Sequence, residues 1–404
     1  MTHRTIDDLD HGELATLVGE YLLGGHLIDR AGMPVVTEHG IETMRDVAID
    51  EWMGASPIYT KRTQRLLGFE AGTVEACFKA MQLEIGAPLE FMDFRFTVDD
   101  DHHGRFHLDH CGALMDVEPM GEEFVVAMCH DIEDPTFDAT AWATHPQMII
   151  RPIHRPPRTP ADRHPHCAWT VTIDESRPPT PEPPQLARIA ASKAAHLPLT
   201  EVGALEGAPD GRTDYAAPLD PDLRIRDFSS PVLRAFAEEV CLQGHYLSIS
   251  FMAAVEDRLG TEAAVDAGAR QLTGVAGAVS ERLVRAFGLG DDADAVATVF
   301  SLHPAFRPAA YVDWRVATDG DAVELELGPC PARDEQGLDT WISLLADGHD
   351  RPLGAIARGV DPRWTVRPDG PNRWVAERGD EPQPELDEVT LTKFSTGVAF
   401  ELTR

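Results

Sequence analysis

The chain is short of positive charge, of cysteine and of long apolar runs. Its 35 lysines and arginines stand against 68 aspartates and glutamates, a formal charge of -33, and such a field repels phosphate backbones and anionic membrane surfaces. No nucleic-acid partner is expected. No run approaches the ~18 apolar residues that a membrane span needs, and the start, Met1-Thr2-His3-Arg4-Thr5-Ile6, has no apolar core of a secretion signal. The expectation is a cytoplasmic protein with no membrane partner. Six cysteines in 404 residues are too few for a disulfide scaffold, and a reducing compartment favours metal binding or reactivity for those that cluster. There is no CxxC, no HExxH, no ATPase P-loop and no DNA-binding element.

What is present is a concentration of reactive side chains between Arg105 and Cys167. Three of the six cysteines and, with His145, seven of the seventeen histidines fall there. The period-two run Phe91–Phe96 predicts a strand, Asp99–Gly104 its turn, and Arg105–Cys111 the returning strand. That alternation places His107, Asp109 and Cys111 on one face and His110 on the other. Glu123–His130, Gln147–His154 and Cys167–Ile173 are expected as further strands, with Asp134–Thr144 a helical or irregular excursion. Before them, residues 11–24 and 38–53 have helical spacing, Ser56-Pro57 has the form of a cap opening a helix that stops at Gly68, and Ala71–Ile85 makes another. Helices followed by a mostly antiparallel sheet make an α+β arrangement.

The Pro-rich stretch from about 176 to 228 marks a boundary, with one short helical segment near Gln185–Ala195. Beyond it the first half returns at offsets of 219 or 220 residues. Gly25-His26 matches Gly244-His245, Arg65–Gly68 matches Arg285–Gly288, Phe91–Arg95 matches Tyr311–Arg315, and Cys111 matches Cys330. An insertion in the second half carries a predicted helix at Leu338–Leu345. Two similar domains, 1–175 and 229–404, are therefore expected from an internal duplication. The reactive groups do not return: Cys129-His130 meets Ala357-Arg358, and Cys167 falls near Gly397. The second domain reads as a support, with Cys330 an ordinary thiol.

Three strand ends would bring Cys111, Cys129 and Cys167 together, with His110 beside them, as ligands for a divalent zinc or iron. A thiolate nucleophile served by His130 and Asp131, or plain buried thiols, are the alternatives. Arg151, His154 and Arg155, within a basic stretch ending at His166, would either neutralise surface acids or draw a small carboxylate toward the cluster. His107, His130 and Asp131 are the candidates for moving a proton.

The strand ending in Cys111, the element Cys129-His130-Asp131 and the strand opening Cys167-Ala168-Trp169 resemble the L-2-amino-thiazoline-4-carboxylic acid hydrolase-like family, and more distantly V4R-type small-molecule-binding domains. The resemblance covers about residues 10–175. It implies an α+β domain, hydrolysis of a C–N or C–S bond in a small cyclic acid, and roles for Cys111, Cys129, Asp131 and Cys167. The duplication, His107, His110, His130 and the segment from Arg151 to His166 depart from it. The functional expectation is a metal-assisted hydrolase or lyase of a small, carboxylated substrate. A small-molecule-binding or sensor protein with a structural metal, and a cysteine-nucleophile hydrolase, are the alternatives, and a homo-oligomer is compatible with all three.

Overall fold

The computed structural model describes residues 3–204 and 210–394; Gly397 lies outside them. The chain opens with α1 (His11–Leu22), α2 (Gly24–Thr37) and α3 (Ile41–Leu66), followed by α4 (Val74–Met81). Asp10 starts α1 by accepting from the Glu13 amide at 2.9 Å while the Glu13 carboxylate accepts from Asp10 N at 3.0 Å, a reciprocal cap that satisfies two otherwise orphaned donors. Ser56-Pro57 does not start a helix. Both residues lie inside α3, which runs unbroken to Leu66, because burial against α7 and α9 outweighs the hydrogen bond that an interior proline removes. The second helix, α2, passes through Gly24, Gly25 and Pro34, which as isolated signals mark a break.

The first sheet follows: β1 (Met92–Val98), β2 (His103–Cys111), then α5 (Gly112–Val117), α6 (Glu122–Val126), α7 (Glu133–Thr144), β3 (Met148–His154) and β4 (Cys167–Ile173). The strands are antiparallel in the order β1-β2-β4-β3. Glu123–His130 is not a strand. It is α6 continued by a π-helical turn, Ala127–Ile132. Its apolar run Phe124–Cys129 is too short for periodicity to separate strand from helix, and the deciding signals are Gly121 at φ 109 and the acids Glu122 and Glu123 in the first turn.

After α8 (Leu186–Ala190) come α9 (Ser230–Leu259), α10 (Thr261–Phe287) and α11 (Ala293–Leu302), then β5 (Trp314–Asp319), β6 (Ala322–Leu327), α12 (Trp341–Ala346), α13 (Arg351–Val360), β7 (Trp364–Pro368), β8 (Arg373–Arg378) and α14 (Asp387–Lys393). Only Gly260, at φ 89, separates α9 from α10, a conformation that a side chain would strain. The second sheet is antiparallel with the order β5-β6-β8-β7. The protein is thus α+β, with two four-stranded antiparallel sheets in separate regions.

Between the sheets the helices of both halves pack on one another: α1, α2 and α3 against α9 and α10. One continuous apolar core runs from Ile6 to Val389 and takes in the second sheet, while the first sheet has a core of its own around Phe78, Phe106, Trp169 and the three clustered cysteines. The described residues of the segment 176–228 lie along this body, with Leu186, Ile189, Ala194, Tyr215 and Leu223 buried in it. Among the described residues no helix is long and apolar enough to cross a membrane.

Candidate functional site

The three cysteines of the first sheet meet. Cys111 ends β2 and caps α5, its thiol accepting from Leu114 N at 3.4 Å; Cys129 sits in the π-helical turn; Cys167 opens β4. All three belong to one buried cluster. Burial pushes the Cys111 thiol up to about 12 and those of Cys129 and Cys167 well above the ordinary thiol range, and the nearby Glu133 carboxyl adds to each shift. These are protonated, unreactive thiols at neutral pH.

Cys111 does not share a face with His107 and Asp109. Met92 pairs with Cys111 and Phe94 with Leu108, so β2 carries an extra residue at Asp109-His110. That bulge resets the alternation, leaving His107 and Asp109 exposed and Cys111 only 3% exposed. His110 faces other histidines: its ring lies 5.9 Å from that of His166, which lies 5.0 Å from that of His164. Burial first, then the charges of Arg158, His164 and His110, lower His166 to about 4. Among the described residues no group of three or more His, Cys, Asp or Glu side chains is arranged to hold a metal ion.

The other expected groups lie apart. His130 Nε2 donates to the Pro156 carbonyl at 2.6 Å. Asp131 lies 3.7 Å from Arg45, and His107 lies 3.4 Å from Asp109. Cys129 and His130 stand on a helical turn rather than a strand, so their directions follow helical geometry. Arg151 binds Asp138 at 2.8 Å and Arg155 binds Asp134 at 2.5 Å, while Arg158 holds Glu118 in a two-pronged pair. Each of these arginines already has its carboxylate. His154 is lowered by burial and by Arg163.

A pocket suited to a small molecule lies between the helices and the first sheet, and none of the three cysteines is among its lining residues. It is a cavity of about 370 Å³ walled by α2, α3, α5, α6, the π-helical turn, α7, the loop after α4 and the inner positions Phe94 and Leu108 of the sheet. Its walls are mostly apolar, yet Asp29, Glu84 and Glu133 line it. Each has a carboxyl oxygen sealed from solvent with no hydrogen-bond partner. Burial raises Asp29 to about 7, against a hydrogen bond from the Trp52 indole and the charge of Arg30. Glu84 rises to about 8 by burial, only partly offset by Thr60. Glu133 rises to about 8 by burial, against the charge of Arg155. Glu51, fully buried in α3 with neither oxygen partnered, is pushed well above the carboxylate range by burial and then by Asp29. An isolated buried charge is costly enough that such groups take up a proton instead.

His26 also lines the cavity, stacked on Phe91 at 3.9 Å. Burial lowers it to about 3 despite Asp116, so the imidazole is neutral, and its 3.6 Å approach to Asp116 is too long for a hydrogen bond. The helices α2 and α3 carry their interior prolines, Pro34 and Pro57, beside this space.

Sequence reasoning missed these acids. The signal was a carboxylate on a buried helical stripe: Glu51 follows Val47 and Ala48 and precedes Ala55 at helical spacing, and Glu84 interrupts the apolar run Met81–Ile85. No protein-family model matches the chain, and no curated protein or solved structure matches it.

Proposed function

We propose that this protein binds a small, chiefly apolar molecule in the cavity between α2, α3 and α7. The observation that supports this is a partly enclosed, mostly apolar cleft holding a few convergent buried carboxyls, the usual composition of a small-molecule site. Replacing Thr136, in its wall, by Trp should fill the space. Ligand-induced thermal shifts seen with the native protein should disappear, and their persistence would overturn the assignment.

A hydrolase reading is favoured by one further observation. Glu133 lines the cavity and is also the acid felt by all three thiols. A carboxyl raised to about 8 holds its proton at pH 7 and is suited to donate it to a leaving nitrogen or sulfur. This keeps the C–N or C–S chemistry that the hydrolase-like resemblance implies, with Glu133 in place of His107, His130 and Asp131. No step is assigned to a metal. Zinc or iron on the cysteines would require them to lose their protons and draw together, and elemental analysis of untagged protein tests it.

The two halves read as a tandem duplication whose second cavity has been filled. Support comes from equal strand orders, from Arg95–Asp93 and Arg315–Asp313 at 2.7 and 2.8 Å, and from His26 on Phe91 matched by His245 on Tyr311. In the second half Trp341 lies 6.1 Å from His245 and donates its indole N–H to Gln271 at 3.2 Å. Gln271 stands 220 residues after Glu51.

A further inference from the structure

The walls of the open cavity carry information about the charge and shape of its occupant. Glu84 is only 7% exposed, lines the space and has an unpartnered Oε2. Asp29 lines it as well, with an unpartnered Oδ1, and Glu51 stands close enough for Asp29 to act on it. Tyr59 feels Glu84, Asp29 and Glu51 together, and Trp52 is fixed by its hydrogen bond to Asp29. The cationic side chain in the wall, Arg30, lies 4.0 Å from Asp116 and donates to the Phe394 carbonyl. Three acids and two aromatic rings, with the charge of Arg30 acting on Asp29 but not on Glu51 or Glu84, describe a site for a desolvated ammonium.

The second half supplies the shape. Between α9 and α10, beside His245, the chain has placed the Trp341 indole, whose N–H donates to Gln271, the residue equivalent to Glu51. The equivalent space between α2 and α3 is open, and Glu51 stands where the second half has the neutral amide. We propose that the cavity selects a planar aromatic molecule carrying a protonated nitrogen, and that this nitrogen is held by Asp29 and Glu84. The proposal rests on the reading of the cavity as the binding site and names the chemistry of its ligand.

The charged and titratable groups around that position are His26, Asp29 and Arg30 of α2, Glu51 and Tyr59 of α3, Glu84, Asp116 of α5 and Glu133 of α7, with Arg282 of α10 acting on His26. Because Asp29 and Glu84 shed protons only near pH 7 and 8, an ammonium should bind more tightly as the pH rises from about 6 to about 8.5.

Three probes share one aromatic body and differ in charge: tryptamine, its neutral alcohol analogue tryptophol, and the anion indole-3-acetate. Calorimetry on the full chain should show tryptamine preferred over tryptophol by roughly tenfold or more, with indole-3-acetate weakest. Glu84→Gln and, separately, Asp29→Asn should each reduce that preference while leaving tryptophol binding intact, which also shows that the variants fold. Equal binding of tryptamine and tryptophol, or a preference unchanged in both variants, would overturn the ammonium assignment and leave the cavity reading standing. Failure of all three probes to bind at millimolar concentration would overturn both.

Discussion

Burial raises the clustered thiols and the cavity carboxyls alike, but it is the carboxyls that line the cavity. The thiols of Cys111, Cys129 and Cys167 are closed off and protonated, whereas Cys330 keeps part of its surface. A thiol-reactive dye should therefore label Cys330 quickly in native protein and the other five only on unfolding. Fast labelling of Cys129 would show that the cluster opens. Glu133→Gln keeps shape and hydrogen bonding but removes the ionisable proton. It should leave probe binding within about twofold and lower any hydrolytic turnover by roughly 100-fold or more; equal turnover would remove Glu133 from the chemistry. At this scale the cysteine cluster was legible, because three soft side chains near predicted strand ends have few other reasons to be adjacent. The acids were not, because a single Glu51 or Asp29 declares its burial only when its helix is placed against others.

At the scale of elements, β1, β3 and β4 formed where they were expected, β2 kept its alternation as far as Leu108, and the excursion expected at Asp134–Thr144 is the helix α7. The failures were those where a local signal was overruled by packing: Pro57 and Gly24-Gly25 inside helices, and Phe124–Cys129 drawn into a helix. The bulge at Asp109-His110 is a third kind of failure, since one inserted residue leaves no mark in composition yet turns Cys111 away from His107. Gly25 shows why α2 tolerates two glycines. A Cβ there would fall 2.3 Å from the Ile85 carbonyl, so Gly25→Ala should cost about 1–3 kcal/mol despite the better helix propensity of alanine, measured by denaturant unfolding. Between elements, Arg62 of α3 forks onto Glu239 of α9 at 2.7 and 2.8 Å, and Glu239 also accepts from Thr200 N and its hydroxyl. With Glu239 only 2% exposed, Glu239→Ala leaves a guanidinium without its partner and should cost about 3–5 kcal/mol. A melting temperature unchanged in that variant would show the junction to be slack.

For the molecule as a whole, the buried acids set a pH profile. Asp29, Glu84 and Glu133 have folded-state values near 7, 8 and 8, above the ~4 of an unfolded chain. The folded state binds more protons in that window, so stability from these groups is full below about pH 4 and is lost as the pH rises through 7 to 8. Each group contributes at most about 1.4 kcal/mol per pH unit. The melting temperature should fall from above about pH 4 to about pH 8 and then level off, and the double variant Asp29→Asn, Glu84→Gln should flatten that fall; an unaltered slope would place its origin elsewhere. Removing residues 225–404 strips α9 and α10 from α1, α2 and α3, and the remainder should be insoluble. Helices followed by an antiparallel sheet were legible in the sequence for both halves. Their common helical core was not, because pairing a face on α3 with one on α9 needs coordinates.

That common core also sets the order of events during synthesis. When α3 leaves the ribosome, its partner α9 is still about 200 residues away in the chain. The first sheet, with a core of its own, can consolidate early, while the buried faces of α1, α2 and α3 must wait, exposed, for the second half to arrive. Long-range closure of this kind is slow and leaves a sticky intermediate, so chains released before α9 is made should aggregate through that helical face.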